Sequence, residues 1–277
     1  MCLIAFSWNP SSPDMPLLLL ANRDEFYSRP TAAAEWWTSP SGIWAGRDLQ
    51  AGGTWLGITC KGRFAALTNF RNGVPQRNLA ASRGQLVADF LAQDITPADY
   101  VAYVETVAHQ YNGFNLIVGD IYGAVDGTPS VWYCGNQTGA EARELPPGLY
   151  GLSNALLDSP WPKLLRLKDR LAGLDNGRDD LVDACMAFLS DPTPADDEQL
   201  PSTGVPKEWE RILSSVFIVG REYGTRAQTM VRADANGMIE AHERSFDTPE
   251  QASTLQPAAV RRMRVQVQLH GARIPQL

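Results

Sequence analysis

The order of strand-like and helix-like segments limits the folds open to this chain more than any other feature. Apolar runs joined by tight turns come first, two helical patterns follow, and strands, two helices and strands come after them. A parallel doubly wound sheet would instead need strict alternation of strand and helix. We therefore predict an α+β fold, a four-layer αββα sandwich in which two antiparallel sheets lie between helix layers.

The chain opens with two apolar runs, residues 2–8 and 17–22, separated by a turn-rich segment of Asn, Pro, Ser and Asp. Such runs are typical of strands joined by a tight turn. If they pair along their whole length as a hairpin, Cys2 falls opposite Arg23. We predict that the start of the chain meets the polar segment 22–25 at one edge of a sheet.

A second hairpin is predicted from residues 54–59 and 64–70, with residues 60–63 as its turn. Its open end brings Asn69 back beside Gly53 and Thr54. Polar residues therefore lie at the open ends of both hairpins.

No repeat of fixed period and no linker divides the chain, so we predict one domain over residues 1–277. The acidic, Pro-rich stretch 191–206 is predicted to be a surface loop. The other predicted elements are helices at 79–93, 97–111, 161–171 and 180–190, and strands at 114–120, 130–134, 149–153, 214–220, 226–233, 238–246 and 263–269.

Two of these helices carry local signals. The helix at 97–111 is predicted to begin after a Thr96 cap. The helix at 161–171 is predicted to be amphipathic, with Leu165 on its apolar side and Lys163 away from it.

The charge balance excludes one class of partner. The chain has 24 Lys and Arg against 31 Asp and Glu, a net charge of −7. Binding to nucleic-acid phosphates or anionic lipid needs a cationic face, so we predict no nucleic-acid partner. The apolar run at 17–21 is too short for a signal peptide or a membrane span. We predict a cytoplasmic protein without a membrane span.

Metal and disulfide chemistry are not predicted. The four cysteines lack CxxC spacing and are too few for a disulfide scaffold, and the three histidines lack an HExxH arrangement. We therefore predict no metal and no resident cofactor. The residues concerned are Cys2, Cys60, Cys134 and Cys185, and His109, His242 and His270.

Cys2 has an unusual position, directly after the initiator methionine. Removal of Met1 would leave a thiol and a free α-amine on one residue. With a pKa of about 7.7–8.0, the amine can accept the thiol proton, and a neighbouring Arg23 would favour the thiolate. A small apolar residue that opens a strand is the alternative role.

Arg23 and Asp24 follow a buried strand and mark its polar end. The arginine can lower the pKa of a thiol, and the carboxylate can orient the α-amine or the guanidinium. Glu25 could serve in place of Asp24. A solvated, charged strand end explains the same residues equally well.

Asn69, Asn154 and Arg226 are further candidate site residues. A side-chain amide at a strand end can donate a hydrogen bond to a developing oxyanion, although Asn is also a common turn residue. Arg226 could clamp a substrate or a thiolate, or be a surface charge beside a strand.

Long sequence blocks carry a family resemblance, in order from Met1 to about Thr229. The blocks are MCLIAFSW, LLLLANRDEFYSRPTAAAEWW, IWAGRDLQAGGTWLGIT, GRFAALTNFRNG, SRGQLVADFL, YNGFNLIVGD, GLSNALLDSPWPK and YGTRAQT. They resemble the NRDE family, also called the transport and Golgi organisation protein 2 family. The family itself is similar to N-terminal nucleophile (Ntn) hydrolases of the branch with bile salt hydrolases and penicillin V acylases.

This resemblance implies an αββα sandwich and a set of catalytic residues. Ala227 and Gln228 stand where relatives tend to carry two serines, so the resemblance implies different hydrogen bonding around Arg226 in this chain. By position in the motifs, Cys2 matches the nucleophile, Arg23 the first arginine, Asp24 the acid with Glu25 in reserve, Asn69 and Asn154 the oxyanion-side amides, and Arg226 the late arginine.

Two functions from different classes follow. The first is a cysteine hydrolase acting on a non-peptide amide of a small amphipathic molecule. The second is a non-catalytic carrier with haem as cargo, held in the region of Trp36, Trp37, Trp44 and Trp55 with Cys2 or a histidine as axial ligand. An inert Ntn-like fold used for interaction would have an unreactive Cys2.

Overall fold

The structure is a computed structural model that describes residues 2–74, 76–77, 80–175 and 177–269. Met1, Leu79 and His270, on which predictions above depend, lie outside these ranges. The strands in chain order are β1 (Cys2–Trp8), β2 (Leu17–Phe26), β3 (Thr31–Trp36), β4 (Ile43–Asp48), β5 (Leu56–Thr59), β6 (Arg63–Asn69), β7 (Phe114–Asp120), β8 (Ser130–Gly135), β9 (Arg143–Glu144), β10 (Gly148–Leu152), β11 (Tyr223–Ala233), β12 (Met238–Ser245) and β13 (Ala259–Gln266).

All of these strands pair antiparallel, in two sheets. Sheet A has the order β10-β1-β2-β11-β12-β13, and sheet B has the order β3-β4-β5-β6-β7-β8-β9. The α-helices are α1 (Arg83–Ala92), α2 (Pro97–Val107), α3 (Pro162–Ala172), α4 (Leu181–Leu189), α5 (Lys207–Ile212) and α6 (Pro249–Thr254).

Alternation along the strands builds three apolar layers. In β1, Ile4 and Phe6 face the space between the sheets, whereas Leu3 and Ala5 face the helices. Helices α1 and α2 cover sheet B, and α3 and α4 cover sheet A. The predicted αββα sandwich is therefore confirmed.

Both predicted hairpins are present. Cys2 pairs with Arg23 at the open end of the first, in the predicted register. In the second, Ile58 pairs with Phe64 and Leu56 with Ala66, which is one residue from the pairing that a turn at 60–63 predicts, because Arg63 already belongs to β6. The Thr96 hydroxyl accepts a hydrogen bond from the Asp99 amide at the start of α2, which confirms the predicted cap.

The strand predicted at 214–220 is wrong. Residues 214–218 are buried, Val219 is 44% exposed, and residues 214–220 lie in none of the strands. The backbone groups bond individually instead: the Phe217 amide donates to the Asp191 carbonyl, the Ile218 amide donates to Thr225 Oγ1, and the Val216 carbonyl accepts from Asn22 Nδ2. Separate backbone and side-chain partners thus replace the ladder that a strand would need.

Other boundaries and faces also differ from the predictions. The last strand runs over 259–266, earlier than the predicted 263–269. In α3, Lys163 is buried with 2% of its surface exposed, whereas Leu165 is 46% exposed, the reverse of the prediction. Strands β3, β4 and β9 and helices α5 and α6 were not predicted. Across the part of the chain that is described, no helix has the length and apolar character needed to cross a bilayer.

Candidate active site around Cys2

Cys2 lies in the wall of a cavity of about 470 Å³. Its side chain is on the inner face of β1, because it alternates with Leu3 on the outer face, and it is 8% exposed. The polar side chains around the cavity come from the end of β2 and the turn after it, the end of β4 and the turn after it, the end of β6 and the start of α1. They include Arg23, Glu25, Arg29, Asp48, Thr54, Asn69, Ser82 and Arg83.

Arg23 is held on three sides. Its guanidinium lies 4.4 Å from the ring centroid of Trp55, and Nη1 donates to Thr31 Oγ1 at 3.2 Å. Nη2 lies 3.7 Å from a carboxylate oxygen of Asp48 and 3.8 Å from one of Glu25. The cation is therefore fixed beside Cys2 while keeping ionic contacts longer than a normal hydrogen bond.

Asp24 and Glu25 point to opposite faces of sheet A. Glu25 is on the cavity side, where its carboxylate lies 3.9 Å from Arg29 Nε. Asp24 is 1% exposed on the helix side, where Thr225 Oγ1 donates to Asp24 Oδ1 at 2.8 Å. Asp24, the preferred candidate for the acid, therefore lies on the other face of sheet A from the cavity. Glu25, the second candidate, lines the cavity together with Cys2.

Burial raises the pKa of the Cys2 thiol above its ordinary value, and the charges of Asp24 and Glu25 act in the same direction. The Arg23 guanidinium lowers it. The balance favours the protonated thiol in this form of the chain.

The two predicted asparagines have different surroundings. Asn69 ends β6 and lines the cavity, and within the described ranges its side-chain amide has no hydrogen-bond partner. Asn154 is fully buried, and its Nδ2 donates to the Asn69 carbonyl at 2.9 Å. Asn69 is therefore free to bind a ligand, while Asn154 fixes the backbone of Asn69.

Arg226 does not line this cavity. It occupies a β-bulge in β11, and its Nε donates to the Phe246 carbonyl at 2.6 Å. Nη1 donates to the carbonyls of Phe26, Tyr27 and Arg29 at 2.9, 3.3 and 3.1 Å, and Nη2 to Asp247 Oδ1 at 3.0 Å. The late arginine of the motif thus joins backbone segments.

Arg83 is a cavity residue that the sequence analysis missed. It begins α1, and its Nη1 donates to the Gly113 carbonyl at 3.0 Å. Burial lowers its pKa, whereas the charges of Cys2 and Glu25, which line the same cavity, oppose that shift. A close backbone contact between Gly53 and Gly84 allows the start of α1 to lie beside the cavity. A Cβ on Gly53 would lie 2.4 Å from the Gly84 carbonyl carbon.

The aromatic and histidine candidates are scattered. The four tryptophans could line a ligand pocket or pack in the core; Trp55 lines the cavity, and Trp37 and Trp44 pack in the core. His109 lies on the surface beside another pocket, and His242 binds Glu240. In the described parts of the chain, no group of three or more His, Cys, Asp and Glu side chains could hold a metal ion.

An apolar groove of about 550 Å³ adjoins the cavity and shares Glu25, Asn69 and Arg83 with it. Its apolar lining includes Phe26, Phe70, Val74, Val205, Trp209 and Leu213. The polar cavity and the apolar groove therefore meet at Asn69 and Arg83.

Together the fold and the site define a layered αββα protein with a pocket centred on a cysteine in its first strand. The chain belongs to the Transport and Golgi organisation 2 family, whose sequence model matches residues 1–248. The Bos taurus Transport and Golgi organization protein 2 homolog is 41% identical over 260 residues, 89% of this chain and 93% of that protein. The Homo sapiens homolog is 37% identical over 261 residues, with the same coverage.

Solved structures resemble the chain more distantly. The Caenorhabditis elegans ortholog of N-acylethanolamine-hydrolyzing acid amidase has a TM-score of 0.47 and 13% identity, covering 77% of this chain and 98% of its own. A mutant conjugated bile acid hydrolase of Clostridium perfringens has a TM-score of 0.44 and 12% identity, covering 95% and 92%. At these scores the likeness says nothing about the activity of this chain.

Proposed function

We propose that the chain is a cytoplasmic cysteine hydrolase of the N-terminal nucleophile type, acting on a non-peptide amide of a small amphipathic molecule. The observation that carries this proposal is the position of Cys2, at the first residue of β1 and in the wall of a polar cavity. All four cysteines are free thiols, as expected in a reducing compartment.

The proposed reaction uses Cys2 after removal of Met1. The thiol transfers its proton to the α-amine, and Sγ attacks the amide carbonyl carbon while the Asn69 amide binds the oxyanion. The C–N bond breaks as the leaving nitrogen takes the proton. Water then hydrolyses the thioester, which releases a carboxylic acid and restores the thiol.

The raised pKa of the Cys2 thiol makes the α-amine essential to this proposal. A buried thiol that stays protonated is a poor nucleophile. An amine on the same residue can take the proton within the site, and the Arg23 charge favours the resulting thiolate.

The adjoining groove supports an amphipathic substrate. A molecule whose amide lies near Cys2 and Asn69 can extend an apolar part past Phe70 and Trp209. Arg83 borders both spaces and can bind a polar or anionic group at the junction.

The test combines intact mass with thiol labelling. We expect the purified protein to lack Met1 and to react with a thiol electrophile faster at Cys2 than at the exposed Cys60, as measured by peptide mass spectrometry. Cys134 and Cys185 are internal controls, because burial raises the pKa of each to about 12. Retained Met1, or a Cys2 rate at the level of these two controls, would contradict the proposal.

Haem carriage makes a different prediction for the same residue. Because no histidine in the described ranges lines the cavity, a haem held there would need Cys2 as its axial ligand. Titration with haemin would then give a Soret shift that the Cys2→Ala variant lacks. Hydrolysis predicts no such shift.

A further inference from the structure

Strand β3 contributes a contact that holds Arg23, although β3 lies at an edge of sheet B. Its first residue, Thr31, accepts a hydrogen bond from Arg23 Nη1 at 3.2 Å. An edge strand has a neighbour on one side only, so its position depends in part on contacts outside its own sheet. The contacts that fix β3 therefore also bear on the Cys2 site.

The pairing of β3 with β4 is interrupted by a β-bulge. Ala33 and Ala34 together lie opposite Gly46, where a regular ladder would have one residue. A bulge leaves its extra residue unpaired in the ladder, so the backbone groups there need other partners. The Ala34 amide donates to Glu243 Oε1 of β12 at 2.7 Å, a hydrogen bond that joins sheet B to sheet A.

Glu243 is buried between the two sheets, with 2% of its surface exposed. Two positions along β12, Ala241 belongs to the core between the sheets, and alternation puts Glu243 on the same face. Ser245 Oγ donates to Glu243 Oε1 at 3.2 Å, and Thr229 Oγ1 donates to Oε2 at 3.3 Å. A buried carboxylate is costly unless polar partners satisfy it. The two hydroxyls hold the carboxylate on sheet A, and the Ala34 amide connects it to β3.

A small cavity of about 70 Å³ lies between this hydrogen bond and Arg23. Thr31, Trp55 and Glu243 all line it. The first two also contact the Arg23 guanidinium, Thr31 through its hydroxyl and Trp55 through its ring. Trp55 packs against the residue opposite the bulge, since a Cβ on Gly46 would lie 2.4 Å from Trp55 Cη2. Movement of β3 would therefore disturb both groups that contact Arg23.

We propose that Glu243 is a positioning residue for the Cys2 site: its side-chain oxygen holds the bulge of β3 against sheet A and thereby keeps the Arg23 guanidinium beside Cys2. The connection runs along β3 from Ala34 to Thr31, the hydrogen-bond acceptor of Arg23. The consequence for catalysis rests on the proposed function, in which Arg23 favours the Cys2 thiolate, whereas the holding of β3 does not.

The direct test is hydrogen exchange of the Ala34 amide, measured by NMR. In Glu243→Leu, which has a similar size but no acceptor, we expect exchange at least about tenfold faster than in the wild type. Glu243→Gln should keep the protection, because its amide oxygen can accept the same hydrogen bond. Glu240→Leu is the matched control, since Glu240 is in the same strand and pairs with Arg232 and His242 instead.

The second readout is the pH profile of Cys2 alkylation. We expect Glu243→Leu to lower the rate about threefold at neutral pH and to move the profile to higher pH, because the Arg23 charge is held less closely. Thr31→Val should give a similar shift. The double variant should shift no further than either single variant, since both changes act through the same contact. Glu243→Gln and Glu240→Leu should match the wild type.

Three results would overturn this role of Glu243. They are unchanged protection of the Ala34 amide in Glu243→Leu, an unshifted Cys2 profile in that variant, and additive effects of Glu243→Leu and Thr31→Val. An unreactive Cys2 in the wild type would instead contradict the proposed function, and the exchange result would still decide whether Glu243 holds β3.

A variant that keeps the charge covers the case in which Glu243→Leu does not fold. Glu243→Asp shortens the side chain by one C–C bond, about 1.5 Å, which takes its carboxylate out of hydrogen-bond reach of the Ala34 amide. We expect faster Ala34 exchange and a shifted Cys2 profile, and wild-type behaviour in both would contradict the proposal. If neither variant folds, an unshifted Cys2 profile in Thr31→Val would contradict it.

Discussion

Two arginines from neighbouring strands, Arg23 and Arg226, are almost equally buried but have different kinds of partner. They are 5% and 4% exposed, and Arg23 pairs with Ala227, the residue after Arg226. Arg23 meets side chains: the Trp55 ring, the Thr31 hydroxyl and two carboxylates. Arg226 donates to four backbone carbonyls.

The difference lies in where the guanidinium donors are directed. Backbone carbonyls from separate segments accept hydrogen bonds from Arg226, so its role is to hold those segments together. The carboxylates near Arg23 are 3.7 and 3.8 Å away, so its charge remains available to the cavity. Burial and charge alone do not distinguish a site residue from a structural one.

The largest effect is expected for Arg226→Met. Removal of a buried, charged hydrogen-bond donor that serves several acceptors should lower the free energy of unfolding by about 3–5 kcal/mol. Urea denaturation would measure this loss. Any fall in Cys2 alkylation in the folded fraction should be small, because Arg226 does not line the cavity. A variant of wild-type stability with an unreactive Cys2 would reverse the roles assigned to the two arginines.

Arg23→Met should instead act on the thiol. Loss of a nearby positive charge raises the thiol pKa by about one unit or more, which lowers the thiolate fraction about tenfold near neutral pH. The measurement is the Cys2 alkylation rate in native protein. Arg47→Met is the matched control, since Arg47 lies 4.5 Å from the Trp37 ring centroid as Arg23 does from Trp55. An equal loss of Cys2 reactivity in both variants would contradict a specific effect of the Arg23 charge.

The sequence predicted the pairing of Cys2 with Arg23 better than it predicted the residues that other elements bring to their surroundings. Register and alternation are local rules, so the Cys2–Arg23 pairing could be predicted. Arg83 could not, because its place depends on the backbone contact of Gly53 and Gly84, which are distant in the chain. A lysine in an amphipathic pattern is normally solvated, so the burial of Lys163, which is 2% exposed, could not be predicted from that pattern.

The smallest effect is expected for Asp247→Ala, which removes the one carboxylate that Arg226 contacts within the described residues. Asp247 is 56% exposed, so its ion pair at 3.0 Å should contribute less than about 1 kcal/mol. Urea denaturation beside Arg226→Met compares the ion pair with the carbonyl contacts. If the two variants lost similar stability, the ion pair would be the main contribution of Arg226. A small loss would assign its structural role to the four carbonyls, as the difference from Arg23 requires.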